Sequence, residues 1–127
     1  MAEFMLRERL AGREGVHVAS AGVQALVGEP ADANVVDVMQ AHGVDASAHR
    51  ARQVDAAMLR DFDVVLPVEQ GHRRWLEQRF PQVVGRVHTL GRWRDEDIPD
   101  PYRLGRAAFD RTYELIDECL DDWLQRL

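Results

Sequence analysis

Three short apolar segments that alternate with longer helical patterns constrain this chain more than any other feature. Strand-like composition, ended within two residues by glycine or proline, marks the segments 16–20, 62–66 and 86–90. Helix-forming patterns cover most of the remaining chain, at about 2–12, 31–42, 54–59, 71–80 and 104–126. Strands that alternate with helices predict an α/β fold with three layers, in which helices flank a parallel sheet.

The last helical stretch has the most regular apolar pattern. Large apolar residues recur there at spacings of four and three, at Phe109, Tyr113, Ile116, Leu120, Trp123 and Leu127. This spacing places them on one face of a helix. We therefore expect this helix to bury a continuous stripe against the core.

Length and charge limit the classes of protein to consider. A chain of 127 residues with 46% hydrophobic content predicts a single domain over 1–127. The net charge of −6 argues against nucleic acid or an anionic membrane as partner. No apolar run is long enough to span a bilayer, and Arg7 and Glu8 interrupt any signal-peptide core. The single cysteine, Cys119, excludes an internal disulfide, and we expect a cytoplasmic protein.

A proline-rich loop at 97–103 carries the first candidate for chemistry. Pro99 and Pro101 fix their own backbone angles and hold the residues before them in extended geometry. Asp100 therefore sits on a stiff, non-helical platform, followed by Tyr102. Asp100 is a candidate general acid and Tyr102 a candidate wall of a substrate cleft. The alternative is that Asp-Pro simply starts a turn before the last helix.

Five segments, in order and at matching spacings, carry a resemblance to a known family. They are Met-Ala-Glu-Phe-Met-Leu at 1–6, Ser-Ala-Gly at 20–22, His-Arg-Ala-Arg-Gln at 49–53, Phe-Asp-Val-Val-Leu at 62–66 with Glu69, and Asp-Pro-Tyr at 100–102 with Phe109 and Tyr113. Together they resemble the low-molecular-weight protein tyrosine phosphatases of bacteria. The resemblance extends over essentially the whole chain.

The resemblance implies a role for five residues. Asp100 matches the family's general acid, and Tyr102 and Leu26 match positions in the wall of the substrate cleft. Ser20 and Glu69 match positions that support the phosphate-binding loop, although Glu69 stands where the family usually has aspartate. The family uses no cofactor or metal, and the five histidines show no metal-ligand spacing.

The family's nucleophile is missing from this sequence. The family attacks phosphorus with a cysteine in a Cys-x5-Arg-Ser-Pro loop that follows a first strand, and Met1 matches the residue after that loop. Cys119 is the only thiol, and the residue six positions later is Gln125, not arginine. We therefore expect a phosphotyrosine phosphatase I-like fold with its first, central strand absent and three strands remaining. Such a protein would be inactive and serve a binding or oligomerising role. The alternative is an active tyrosine phosphatase whose full-length form starts upstream of Met1.

Loss of a central strand has consequences for assembly. The family's four strands run in the order two, one, three, four, so 16–20 and 62–66 would each lose a neighbour. Unpaired strand edges favour pairing with another chain. A homodimer through these edges is one expectation; direct pairing of the two strands and a poorly folded fragment are the others.

Overall fold

A computed structural model of the chain describes residues 1–23, 27–102 and 104–126. Within these ranges it contains five α-helices: α1 (Ala2–Arg9), α2 (Ala33–Ala41), α3 (Ala56–Arg60), α4 (Gln70–Arg79) and α5 (Arg106–Leu124). Two 3₁₀ turns follow α4, at Pro81–Arg86 and Arg92–Arg94. The five helical stretches predicted from the sequence are all present, with ends that differ by up to three residues.

Aspartate side chains fix the starts of two helices. The carboxylate of Asp32 accepts the backbone N–H of Asn34 at 2.8 Å at the start of α2. The carboxylate of Asp55 accepts the N–H of Met58 at 2.7 Å at the start of α3. These bonds satisfy donors that have no partner within the helix. They also explain why α2 and α3 start two residues later than their apolar patterns predict.

Helix α5 buries the predicted stripe. Phe109, Ile116, Leu120 and Trp123 are all at most 6% exposed. The helix packs against α1, α2 and the Arg92–Arg94 turn, and its apolar face forms the larger core together with residues such as Met39. The stripe is therefore confirmed, except for Leu127, which lies outside the described residues.

The three predicted strands are not formed as continuous strands in the described residues. Pairing there is limited to isolated bridges at Gly22–Gln53, Pro30–Arg50 and Val65–Val87. Segments 65–68 and 87–90 do run parallel: His88 N–H donates to the carbonyl of Val65 at 3.0 Å, and Leu90 N–H donates to that of Pro67 at 2.9 Å. Pro67 has no N–H to return a bond, which interrupts the ladder.

Segment 16–20 is extended but has no strand partner. Among the described residues, no backbone–backbone hydrogen bond joins it to another segment. The backbone of this segment is held instead by a side chain, because the Arg7 guanidinium donates to the carbonyl of Val18 at 2.7 Å. Pairing begins only at Gly22, whose N–H donates to the carbonyl of Arg52 at 2.8 Å. The prediction of a strand at 16–20 is therefore wrong for this structure, because a strand requires a paired neighbour.

Of the helices in the described ranges, none is long and apolar enough to cross a bilayer.

Candidate functional site

The loop that carries Asp100 is fastened at its base. Ile98 is 2% exposed, and its N–H donates to the carbonyl of Val68 at 2.9 Å. The carboxylate of Asp97 accepts the N–H of Gln70 at 3.0 Å, at the start of α4. The loop is thus tied both to the end of segment 65–68 and to the first turn of the following helix. Asp100 lies two residues beyond the buried anchor.

Asp100 lies at the surface in a tight turn. Its Oδ1 accepts the N–H of Tyr102 at 3.0 Å, an arrangement that fixes the direction of the carboxylate. Pro101 between them is buried, whereas Tyr102 is 55% exposed. The structure therefore contains the turn that the sequence predicts at this point. Both Asp100 and Tyr102 are exposed at the protein surface.

A second cluster forms around Glu3 on α1. Its carboxylate accepts hydrogen bonds from the Ser20 hydroxyl and the Arg7 guanidinium, and His49 Nδ1 lies 3.5 Å away. The side chain of Glu3 is only 13% exposed. Burial raises the pKa of Glu3, but the bonds from Ser20 and Arg7 outweigh it, so the pKa lies below its ordinary value. The Glu3 carboxylate is therefore an anion that links α1 to Ser20 and to His49.

The Glu3 cluster lines a cleft of about 340 Å³. Phe4, Val18 and Arg52 complete much of its wall. The Phe4 ring meets the His49 imidazole edge-on, with centroids 6.0 Å apart. The cleft therefore combines an aromatic ring, an imidazole and guanidinium groups around the Glu3 carboxylate.

Glu69 occupies the residue before α4. It is half-buried, and its side chain makes no capping bond to the helix. Asp97 supplies that bond instead. Glu69 and the Asp100 loop thus share the end of segment 65–68, as expected for groups that follow parallel segments at their carboxyl ends. Leu26, the other predicted residue of the cleft wall, lies outside the described residues.

The predicted site residues fall into two groups. Ser20 belongs to the Glu3 cluster, whereas Glu69, Asp100 and Tyr102 belong to the loop end of segment 65–68. In the described part of the chain, no hydrogen bond or ion pair joins Ser20 to Glu69 or Asp100.

Glu3 and His49 were not predicted as site residues. Both lie inside segments that carry the family resemblance, 1–6 and 49–53, and that was the one signal available. The bond from Ser20 to Glu3 spans 17 residues of sequence. A contact between residues so far apart in the chain cannot be predicted from a local sequence pattern.

The only thiol is not placed for chemistry. Cys119 is 0% exposed in the middle of α5. Burial raises the pKa of its thiol, which disfavours the nucleophilic thiolate. Among the residues that the structure describes, no group of three or more His, Cys, Asp or Glu side chains is arranged to hold a metal ion.

Comparison with characterised proteins gives consistent matches over the full chain. The family model for low molecular weight phosphotyrosine protein phosphatase matches residues 1–127. The chain is 38% identical to the low molecular weight protein-tyrosine-phosphatase Etp of Escherichia coli K12 over 128 residues, which cover 100% of this chain and 84% of that protein. It is 39% identical over 127 residues to the probable phosphatase EpsP of Ralstonia nicotianae, covering 100% of this chain and 86% of that protein.

Solved structures agree with the sequence matches. Vibrio vulnificus Wzb in complex with benzylphosphonate superposes with a TM-score of 0.92 at 37% identity, covering 99% of this chain and 88% of that one. The tyrosine phosphatase Wzb of Escherichia coli K30 in complex with sulphate gives 0.91 at 32% identity, covering 98% and 86%. The chain therefore belongs to the low molecular weight phosphotyrosine protein phosphatase family.

Proposed function

We propose that these 127 residues supply the general acid and the supporting side chains of a protein tyrosine phosphatase but cannot hydrolyse phosphotyrosine alone. One observation carries the proposal: the only thiol, Cys119, is fully buried within α5 and is followed six residues later by Gln125. A thiolate nucleophile needs an accessible, electropositive setting, and a phosphate needs backbone amides and a guanidinium around it. Cys119 has no arginine six residues after it, and it lies within a helix rather than in a loop whose amides could surround a phosphate.

Asp100 is the general acid in this proposal. An aryl phosphate splits easily only if the departing phenolate receives a proton. The Asx turn to Tyr102 and the Ile98 anchor support this role, because a proton donor must be held in a fixed direction. Tyr102 and Leu26 would wall the cleft that receives the phenyl ring.

Ser20 and Glu69 have supporting roles in this proposal. The Ser20 hydroxyl, held by the anionic Glu3, would position the phosphate-binding loop from one side. Glu69 would do so from the end of segment 65–68.

A second candidate function is that of an active tyrosine phosphatase in a form that also carries a Cys-x5-Arg loop before Met1. The unpaired backbone of segment 16–20 favours this candidate. An extended segment with no backbone partner is expected where a neighbouring strand of a parallel sheet is absent, so the same observation supports the proposal that the first strand is missing here.

The same edges support a proposal about assembly. Segments 16–20 and 62–66 of one molecule would pair with those of a second copy. Light scattering on the 127-residue chain is the test, and it should give twice the monomer mass of 14.5 kDa. A monomer at all concentrations would contradict the proposal.

The two candidate functions can be distinguished by whether the codons before Met1 encode a Cys-x5-Arg loop and by whether the longer chain is active. If codons in frame with Met1 encode Cys-x5-Arg, the longer chain should hydrolyse p-nitrophenyl phosphate. In that chain Asp100→Asn should lower kcat about 10²- to 10⁴-fold.

Asp63→Asn is the matched control, because Asp63 is another exposed aspartate, distant in sequence from the acid loop. An equal loss of kcat in both variants would contradict the role of Asp100. If no Cys-x5-Arg is encoded there, the second candidate function is wrong.

A further inference from the structure

Two consecutive residues at the base of the acid loop bind the backbone on either side of Glu69. The N–H of Ile98 donates to the carbonyl of Val68 at 2.9 Å. The carboxylate of Asp97 accepts the N–H of Gln70 at 3.0 Å. Ile98 is 2% exposed, so its bond lies in the core. The other bond depends on a single exposed side chain, that of Asp97.

Asp97 does for α4 what the residue directly before a helix usually does. Asp32 and Asp55 cap α2 and α3 from that position. Glu69 has the same position before α4, but its side chain makes no capping bond. Glutamate is not among the residue types that cap well there, whereas aspartate is. Asp97 supplies the acceptor instead, from 27 positions further along the chain.

This exchange of roles leaves the Glu69 carboxylate available. Among the residues that the structure describes, no hydrogen bond or ion pair engages it, although Glu69 is half-buried. The nearest donor of the helix, the N–H of Gln70, is already bonded to Asp97. Glu69 can therefore direct its carboxylate to a group outside α4.

The bond of Asp97 also bears on Asp100, which lies three residues later. Pro99 and Pro101 fix their own backbone angles, so this part of the loop is stiff. Asp100 itself is oriented by its bond to the N–H of Tyr102 at 3.0 Å. A stiff segment transmits the position of its base, so the attachment of Asp97 to α4 limits the directions that the Asp100 carboxylate can take.

We propose that Asp97 is a positioning residue that holds Asp100 and Glu69 in one fixed arrangement. Its carboxylate ties the acid loop to the start of α4 and occupies the N–H for which Glu69 would otherwise compete. Without this bond, the base of the loop would keep the Ile98 bond and could rotate about it. A general acid must stay within hydrogen-bond reach of the group that it protonates. The inference rests on the proposed roles of Asp100 and Glu69.

The test is NMR spectroscopy of the isotope-labelled 127-residue chain, which needs no catalytic turnover. The exchange rate of the Ile98 amide reports its bond to Val68, and the chemical shift of the Tyr102 amide proton reports its bond to Asp100. Asp97→Ala should speed the exchange of Ile98 about tenfold or more, through local opening of the loop. It should also move the Tyr102 signal toward its position in Asp100→Ala. Asp97→Asn should keep both signals as in wild type, because asparagine also caps helices.

Asp32→Ala is the matched control. Asp32 caps α2 by the same kind of bond, to the N–H of Asn34 at 2.8 Å. Its removal should lower the melting temperature but leave the Ile98 and Tyr102 signals as in wild type. If Asp97→Ala does not fold, Asp97→Glu replaces it, because glutamate keeps the charge but places the carboxylate one methylene further out.

Three results would overturn the proposal. The first is unchanged Ile98 exchange and an unchanged Tyr102 shift in Asp97→Ala, which would mean that the loop is held without this bond. The second is an equal response in Asp32→Ala, which would mean a general loss of stability. The third is a response of Asp97→Asn as large as that of Asp97→Ala, because charge alone would then be the cause. Failure of the proposed function is a separate result, since it would appear as release of p-nitrophenol by the 127-residue chain, which these signals do not measure.

Discussion

At the scale of single residues, Glu3 is the side chain on which most contacts of the candidate site converge. It accepts hydrogen bonds from Ser20 and Arg7 and lies near His49, while its side chain is 13% exposed. Its pKa lies below the ordinary value because these donors outweigh burial, which acts in the opposite direction. A carboxyl whose pKa is lower in the folded state stabilises the fold fully above its unfolded pKa, and this contribution is lost as pH falls through the folded pKa.

This gives a pH-dependent prediction for Glu3→Gln. At pH 7 the variant should lose about 1–3 kcal/mol of unfolding free energy, because charged hydrogen bonds are lost and the Ser20 hydroxyl stays half-buried. The difference from wild type should shrink as pH falls below 4.5, the ordinary pKa of a glutamate, and through the lower pKa of Glu3 in the folded state. Urea unfolding between pH 7 and pH 3 measures it. Glu8→Gln, an exposed position on the same helix, is the control and should show no such trend. A pH-independent difference would contradict the role of Glu3.

The burial of Cys119 also leads to a prediction. A thiol that is 0% exposed with a raised pKa should react with Ellman's reagent only when the chain unfolds. Its reaction rate should therefore follow the unfolding rate and rise steeply with urea. Fast reaction of the folded chain, independent of reagent access through unfolding, would contradict the placement of Cys119 in the core.

The sequence predicted Asp100 and Tyr102 correctly as neighbours on a stiff turn, because two prolines and an Asx turn act over only a few residues. It could not predict the convergence of Ser20, Glu3 and His49, which come from three separate segments. Contacts of that kind depend on how elements pack. The roles of these residues in catalysis remain predictions.

At the scale of elements, α5 and α1 are joined by charge as well as by apolar packing. The guanidinium of Arg9, near the end of α1, donates to the carboxylates of Asp117 and Asp121 one turn apart on α5. Side chains on successive turns of one helix face lie close enough to share a single guanidinium. One arginine thus bridges two acidic residues that would otherwise repel each other.

Removal of this bridge should destabilise the fold modestly. Arg9→Ala should cost about 1 kcal/mol of unfolding free energy, since the pair is partly exposed and therefore screened. The loss should become smaller at high salt. Arg111→Ala, an exposed arginine on α5, is the control. Urea unfolding at two salt concentrations provides the measurement, and an equal effect of both substitutions would contradict a specific bridge.

The buried face of α5 should contribute more than its charges. Leu120 is 1% exposed, so Leu120→Ala should cost about 2–5 kcal/mol through lost burial and a remaining cavity. Leu104→Ala, at a position 68% exposed, should change the unfolding free energy by less than about 0.5 kcal/mol. Comparable losses in the two variants would mean that α5 does not form the core.

Helices were more predictable than strands in this chain for a physical reason. A helix satisfies its own backbone, so the apolar spacing of α5 was enough to place it. A strand needs a neighbour, and segment 16–20 has strand composition without a backbone partner in the described residues. Composition alone therefore predicted three strands where the structure has isolated bridges.

At the scale of the whole molecule, the family assignment has to be considered together with the position of the only cysteine in the printed sequence. The chain matches the family model over 1–127 and covers 84% of Etp, yet its one cysteine is in the core of α5. The fold contains the Asp100 loop and the Glu3 cluster, while the printed sequence has no Cys-x5-Arg. Our central claim is that the 127 residues provide a general acid, Asp100, but no nucleophile.

Hydrolysis of p-nitrophenyl phosphate by the 127-residue chain, with Cys119→Ala and Asp100→Ala as variants, tests this claim most directly. We predict no release of p-nitrophenol above the buffer rate from any of the three proteins. Turnover that persists in Cys119→Ala but disappears in Asp100→Ala would contradict it, because another nucleophile would then be working with Asp100.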